Sequence, residues 1–118
     1  MELQYSELAN NIRSIKLIGR LDIIGTDAIE TKFAGYCAGE KPLVVVDLSE
    51  VGFLASIGIR LLMLTAKSVF GRGGKLVLLN PTPDVHSVLD VTGIPTIIPI
   101  CTSFESAQVA LQIGRAHV

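Results

Sequence analysis

The run Leu43-Val44-Val45-Val46-Asp47-Leu48 leaves this chain few ways to fold. A strand with one wet face alternates apolar and polar residues, whereas four apolar residues in succession, three of them β-branched, need cover on both faces. Helices packed on a largely parallel sheet provide that cover, so the run marks a central strand of an α/β sheet. Residues 75–80, "KLVLLN", give a second buried strand of the same kind. Residues 11–21 form a longer one, preceded by a short strand near residues 3–5 that adds an antiparallel pair at one edge. A last short strand is expected over residues 96–100.

Between these strands the apolar period changes. Ile29, Phe33 and Tyr36 or Cys37 recur at helical spacing after Thr26 or Asp27, either of which can cap a helix that ends near Gly39. A second helix runs over residues 56–70 and is stopped by the glycines of Gly71-Arg72-Gly73-Gly74. Residues 83–91, after the break at Pro81, and residues 104–113 supply two more. Strands alternating with helices imply right-handed crossovers that lay helices on the sheet. No linker, repeat or low-complexity segment interrupts the pattern.

The second helix carries more apolar surface than a core requires. At about 100° per residue, Ile59, Leu62, Met63, Ala66, Val69 and Phe70 share the stripe that faces the sheet. Ile57, Leu61 and Leu64 fall on a second stripe, flanked by Arg60 and Lys67. Either the helix that follows Asp27 covers these three residues, or they are a docking face for another protein.

Ser56 opens that helix, and three roles compete for it. As an N-cap its oxygen would accept a backbone N–H two or three residues on. As a hydrolase nucleophile it fails, because G-x-S-x-G would need glycine where Leu54 stands and only Gly58 fits. His86, with Asp84 or Asp90, lies downstream, but a lone histidine in a short helix is a poor sign of a base, and no catalytic residue is expected. As a phosphate acceptor it is better placed, since a helix N-terminus tolerates a dianion. Added charge of about −1.5 to −2 beside Ile57, Leu61 and Leu64 would oppose apolar docking.

Composition narrows the partners. With 49% hydrophobic residues and a formal net charge of −1, the chain has no electrostatic means of capturing nucleic acid or an anionic membrane. Its apolar runs stop well short of the roughly 20 residues of a bilayer span. Glu2 and Glu7 stand where a secretory signal would place basic residues, so the expected location is the cytoplasm. Cys37 and Cys101 are isolated and match neither a disulfide framework nor zinc spacing. The glycines before Lys75 lack the G-x-x-x-x-G-K-[ST] order of a phosphate loop and lie between a helix and a strand, the reverse of that motif. Neither metal nor cofactor is expected.

With these residues in view, the chain resembles a STAS domain of the bacterial anti-sigma factor antagonist family. The strongest likeness is "VVVDLSEVGFLASIGIRLLM", similar to that family's buried strand, D-x-S-x-V-x-F, a corner, and S-x-G-[LI] opening a helix; Asp47, Ser49, Val51, Phe53, Ser56, Gly58 and Ile59 match. "GRLDIIGTDAIE" is similar to the family's G-x-L-D strand end, and "VLDVTGIPTIIPICTSFESA" to its closing helix, strand and helix. The resemblance implies one domain over residues 1–118, with a mixed, mostly parallel sheet of four to five strands and helices mainly on one face. It further implies a regulator that binds an anti-sigma factor which is itself a serine kinase, binding that ends when the corner serine is phosphorylated. Carried over by position, Ser56 would be the acceptor, with Asp22, Ala55, Ile57 and Gly58 around it, and Ile57, Arg60, Leu61 and Leu64 on the docking helix. Two positions depart from the family's D-S-[ST]-G corner: Ala55 replaces the acid and Ile57 the second hydroxyl. Those departures favour an alternative, a STAS scaffold or accessory subunit without a switch. A module that binds a small anion or nucleotide at the helix start is a third reading.

Overall fold

The computed structural model describes residues 1–116. β1 (Glu2–Glu7) and β2 (Ile12–Leu21) form an antiparallel hairpin with Glu2 opposite Ile18 and Glu7 opposite Arg13. The turn between them is closed by Asn10 and Asn11, whose φ values of 63° and 60° suit asparagine better than any other residue bearing a side chain. The chain continues through α1 (Ile23–Tyr36), β3 (Leu43–Leu54), α2 (Ser56–Gly71), β4 (Lys75–Leu79), α3 (Pro83–Val91), β5 (Ile100–Cys101) and α4 (Phe104–Ala116). The strands lie in the order β1-β2-β3-β4-β5, parallel from β2 onward.

The apolar run at the centre is buried on both sides, as its composition requires. Val44 and Val46 face one way, with Ile15, Leu17, Leu76 and Leu78, and are covered by Ile29 and Phe33 of α1, Leu62 and Val69 of α2, and Leu89 of α3. Leu43 and Val45 face the other way, with Ile12 and Val77, and are covered by Ala107 and Leu111 of α4. Three helices thus share one face and α4 holds the other. Each fully buried Val or Leu contributes roughly 1.5–3 kcal/mol against exposure, so these two layers account for most of what favours the fold. Along the rows that α4 covers, β2 and β3 turn polar at Ser14, Lys16 and Asp47, and Lys16 pairs with Glu50.

Three local expectations are corrected. First, α1 is capped by Asp22, whose Oδ1 accepts the Gly25 N–H at 2.8 Å, so the helix starts before Thr26 or Asp27 could cap it. Thr26 is instead buried within the first turns, its hydroxyl unpartnered. Second, β3 runs to Leu54, and the N-cap of α2 is Ala55, leaving Ser56 as the first helical residue. Third, the strand expected over residues 96–100 shrinks to Ile100–Cys101. Gly93, at φ 77°, and Pro95 turn the chain into a short 3-10 segment over Ile94–Thr96, which consumes the residues a strand would have used.

At the end of the sheet where the parallel strands begin, the chain is closely tied. After α2, Gly73 takes a left-handed φ of 79°; its N–H donates to Phe70 O at 3.0 Å, and the Gly74 N–H donates to Val69 O at 2.9 Å. This is a Schellman stop, which explains the glycine cluster without any phosphate. Gly74 also lies against Pro42, whose carbonyl oxygen would sit 2.3 Å from an added Cβ. Two guanidinium groups close the C-terminal end of α1. Arg13 donates to Tyr36 O at 3.0 Å and to Ala38 O, while Arg72 donates to Cys37 O at 2.9 Å and Gly39 O at 2.7 Å. Cations at a helix C-terminus satisfy free carbonyls and complement the helix dipole.

Candidate functional site

At the other end of the parallel strands, Leu21 and Leu54 are register partners, so the turns that follow them are neighbours. The Ala55 N–H donates to Leu21 O at 3.0 Å and ties one turn to the other. Gly58, in the first turn of α2, permits the close approach. A Cβ there would lie 2.9 Å from both Leu21 Cβ and Leu54 Cδ1 and 3.0 Å from Leu21 O. This contact gives Gly58 a structural role at the corner.

Ser56 is exposed, and among the described residues its hydroxyl has no hydrogen-bond partner. Its role as an N-cap is therefore corrected: one position into the helix, its side chain caps nothing. Ala55 holds the cap position and offers no acceptor, so the first turn of α2 has no side-chain cap at all. The N–H groups of the first turn are left without a side-chain acceptor.

Asp22 stands at the adjoining turn with both carboxylate oxygens engaged. Oδ1 takes the Gly25 N–H, and Oδ2 lies 3.5 Å from Nε of Arg20. The Gly25 N–H holds the carboxyl below the ordinary aspartate value against some desolvation, and Arg20 adds to the effect. Arg20 also lies over the Phe53 ring, 4.3 Å from its centroid. Asp22 is thus a cap held by its own turn, without a hydrogen bond to Ser56.

The second stripe of α2 splits. Leu61 is only 7% exposed and belongs to the core beneath α1 and α2, whereas Ile57 and Leu64 are 39% and 55% exposed. The reason is geometric: α1 packs against α2, and Leu61 lies on the edge of the stripe next to the buried Thr65, whereas Ile57 and Leu64 lie farther round the helix. Ser56, Ile57, Arg60, Leu61 and Leu64 line an open groove of about 650 Å³ with Glu30 of α1. Of the expected site residues of α2, all but Gly58 therefore share one concavity, with the buried Leu61 beneath it, while Gly58 is packed against Leu21 and Leu54.

Three apolar residues at this end are exposed without being among the expected docking residues: Ile23 and Ile24, at 70% and 80%, and Phe53, at 40%. Two isoleucines directly after a cap are a readable signal, lost when the helix start is placed four or five residues too late. Glu30 also escaped notice, since nothing in its spacing shows that it faces α2.

Other candidates stand apart from this groove. His86 Nδ1 lies 3.2 Å from Asp90 Oδ2 on the exposed side of α3. A more polar depression of about 420 Å³ lies at the opposite end, among Glu7, Asn11, Arg13, Glu40 and Lys41. Among the described residues, no group of three His, Cys, Asp or Glu side chains could hold a metal, and no helix is long and apolar enough to cross a membrane. Both cysteines are free and buried, and desolvation pushes the Cys37 thiol up to about 11.

Comparison with known proteins agrees with this architecture. The chain is 29% identical over 81% of its length, and 83% of the relative's, to BtrV of Bordetella bronchiseptica, a protein assigned as an anti-sigma factor antagonist. Its fold is that of an anti-sigma factor antagonist from Mycobacterium paratuberculosis, with TM-score 0.84 and 22% identity over 94% of this chain and 93% of that one. It is also that of the anti-sigma factor antagonist SpoIIAA in its unphosphorylated form, with TM-score 0.74 and 22% identity over 99% of both chains. The phosphorylated form of SpoIIAA, from Bacillus, superposes with TM-score 0.68 at 20% identity over 92% of this chain and 99% of that one. The STAS domain model matches residues 6–107, from the end of β1 through the Asp22 and Ser56 turns to the start of α4. On that match, and on a five-stranded mixed sheet flanked by four helices, the chain belongs to the STAS domain family.

Proposed function

We propose that this chain is a regulator of the anti-sigma factor antagonist type, which docks a protein partner through the groove at the start of α2 and is released by phosphate on Ser56. The partner on this reading is an anti-sigma factor with serine kinase activity. The observation that carries the proposal is the placement of Ser56: an exposed, unpartnered hydroxyl in the same concavity as Ile57 and Leu64. Apolar rim residues favour docking because their burial removes them from water. In the transfer, Ser56 Oγ bonds to the γ-phosphorus of ATP, ADP leaves, and the hydroxyl proton passes to a base on the kinase. The resulting dianion would have to be desolvated for a partner to seat on Ile57, and that cost opposes docking. The likeness in fold to a protein solved in unphosphorylated and phosphorylated forms supports the reading.

Incubation with ATP and the cognate serine kinase, followed by peptide mass spectrometry, is expected to place phosphate on Ser56 and to abolish the complex. No phosphate, with the complex intact, rejects the switch.

Ala55 favours a second reading. Without the acid that family members usually carry there, the corner lacks both an N-cap and a charge for a kinase to recognise. The chain would then be an unswitched STAS scaffold, and neither Ser56→Ala nor Ser56→Asp would change complex formation.

A further inference from the structure

Arg60 lies four residues after Ser56, and the two line the same groove. Residues four apart on a helix are neighbours, with Cβ atoms about 5–6 Å apart, well within the reach of a guanidinium to a phosphate. Arg13, Arg20 and Arg72 are each engaged, the first and last by backbone carbonyls and Arg20 by Asp22 and Phe53. Among the described residues, Arg60 forms neither an ion pair nor a side-chain hydrogen bond. The first turn of α2 likewise has no side-chain acceptor, because its cap residue is Ala55. A free cation and an uncapped helix start thus flank one unpartnered hydroxyl.

We infer that a phosphate on Ser56 is held in cis by Arg60, bridging the guanidinium and the first-turn N–H groups that lack a side-chain acceptor. The inference rests on the reading of Ser56 as a phosphate acceptor. The pairing draws Arg60 over the groove beside Ile57, so modification both adds charge and withdraws a contact residue from the partner. It also supplies the acceptor that Ala55 lacks, so the modified chain should be the more stable one. The charged groups that face the phosphate are Arg60 from α2 and Glu30 from α1, which opposes it; Arg20 and Asp22, at the adjoining turn, are occupied with each other. Arg60 therefore decides the local balance.

The test needs no kinase. Phosphoserine is installed at position 56 during synthesis, and the phosphate's second ionisation is followed by phosphorus NMR against pH. Ionisation should occur at lower pH in the chain with Arg60 than in R60Q, and R60K should recover part of the difference. Phosphoserine should also raise the melting temperature more with Arg60 present than in R60Q, each measured against its unmodified counterpart. Coincident titration curves for the Arg60 chain and R60Q would overturn the cis pairing and leave the acceptor reading standing. Failure of a kinase to modify Ser56 would remove the acceptor reading without changing these curves.

Discussion

The two ends of the parallel strands are built on opposite principles. Where the strands begin, Arg13 and Arg72 close the carbonyl end of α1, a Schellman stop ends α2, and Gly74 touches Pro42 with no room to spare. Where they finish, α2 starts without a side-chain cap, Ser56 has no partner, and Ile23, Ile24, Ile57 and Leu64 are left in water. At one end the helix termini are satisfied internally; at the other the start of α2 lacks a side-chain acceptor and apolar side chains are left in water. Proteins tolerate such local dissatisfaction where function is carried, and the contrast is a physical argument in favour of the proposal made for the Ser56 end.

Substitutions at the two ends can break or sharpen this contrast. The largest effect is expected at the tied end: Gly74→Ala forces a Cβ to within 2.3 Å of Pro42 O and 2.5 Å of Pro42 Cδ, and neither atom belongs to a flexible side chain. A loss of about 2–3 kcal/mol by urea denaturation follows from overpacking of that kind, and an unchanged midpoint would show that this end yields more readily than its contacts suggest. At the open end the sign reverses. Ala55→Asp supplies the missing cap and should add about 1 kcal/mol in the same measurement. A loss there would mean that the helix start is already satisfied. Ser56→Ala should move stability by less than about 0.5 kcal/mol, because the hydroxyl it removes bonds to nothing. A larger drop would reveal a hidden cap and erase the difference between the ends.

Elements with a strong period were legible in the sequence. Leu43–Val46 announced the buried strand, and the spacing of Leu62, Ala66 and Val69 announced the core face of α2. What escaped depends on contacts distant in sequence. Whether Leu61 is covered is decided by how closely α1 approaches, and no spacing within α2 contains that distance. The start of α1 was misplaced because Thr26 and Asp27 are as good caps by type as Asp22, and only the Gly25 N–H shows which one serves. The strand after α3 was overextended because β-branched composition over residues 96–100 outweighed the turn chemistry of Gly93 and Pro95. At the corner, the identity of Ser56 and its position at the start of α2 were readable; its freedom from any partner was not.

Leu21 has a consequence of its own. It ends β2, accepts the Ala55 N–H, and fills the space that a side chain at position 58 would need. One residue thus works as an axle between the Asp22 and Ser56 turns. The two loops are tied at that one backbone position, so a visitor touching both would meet neighbouring segments fastened to a common residue.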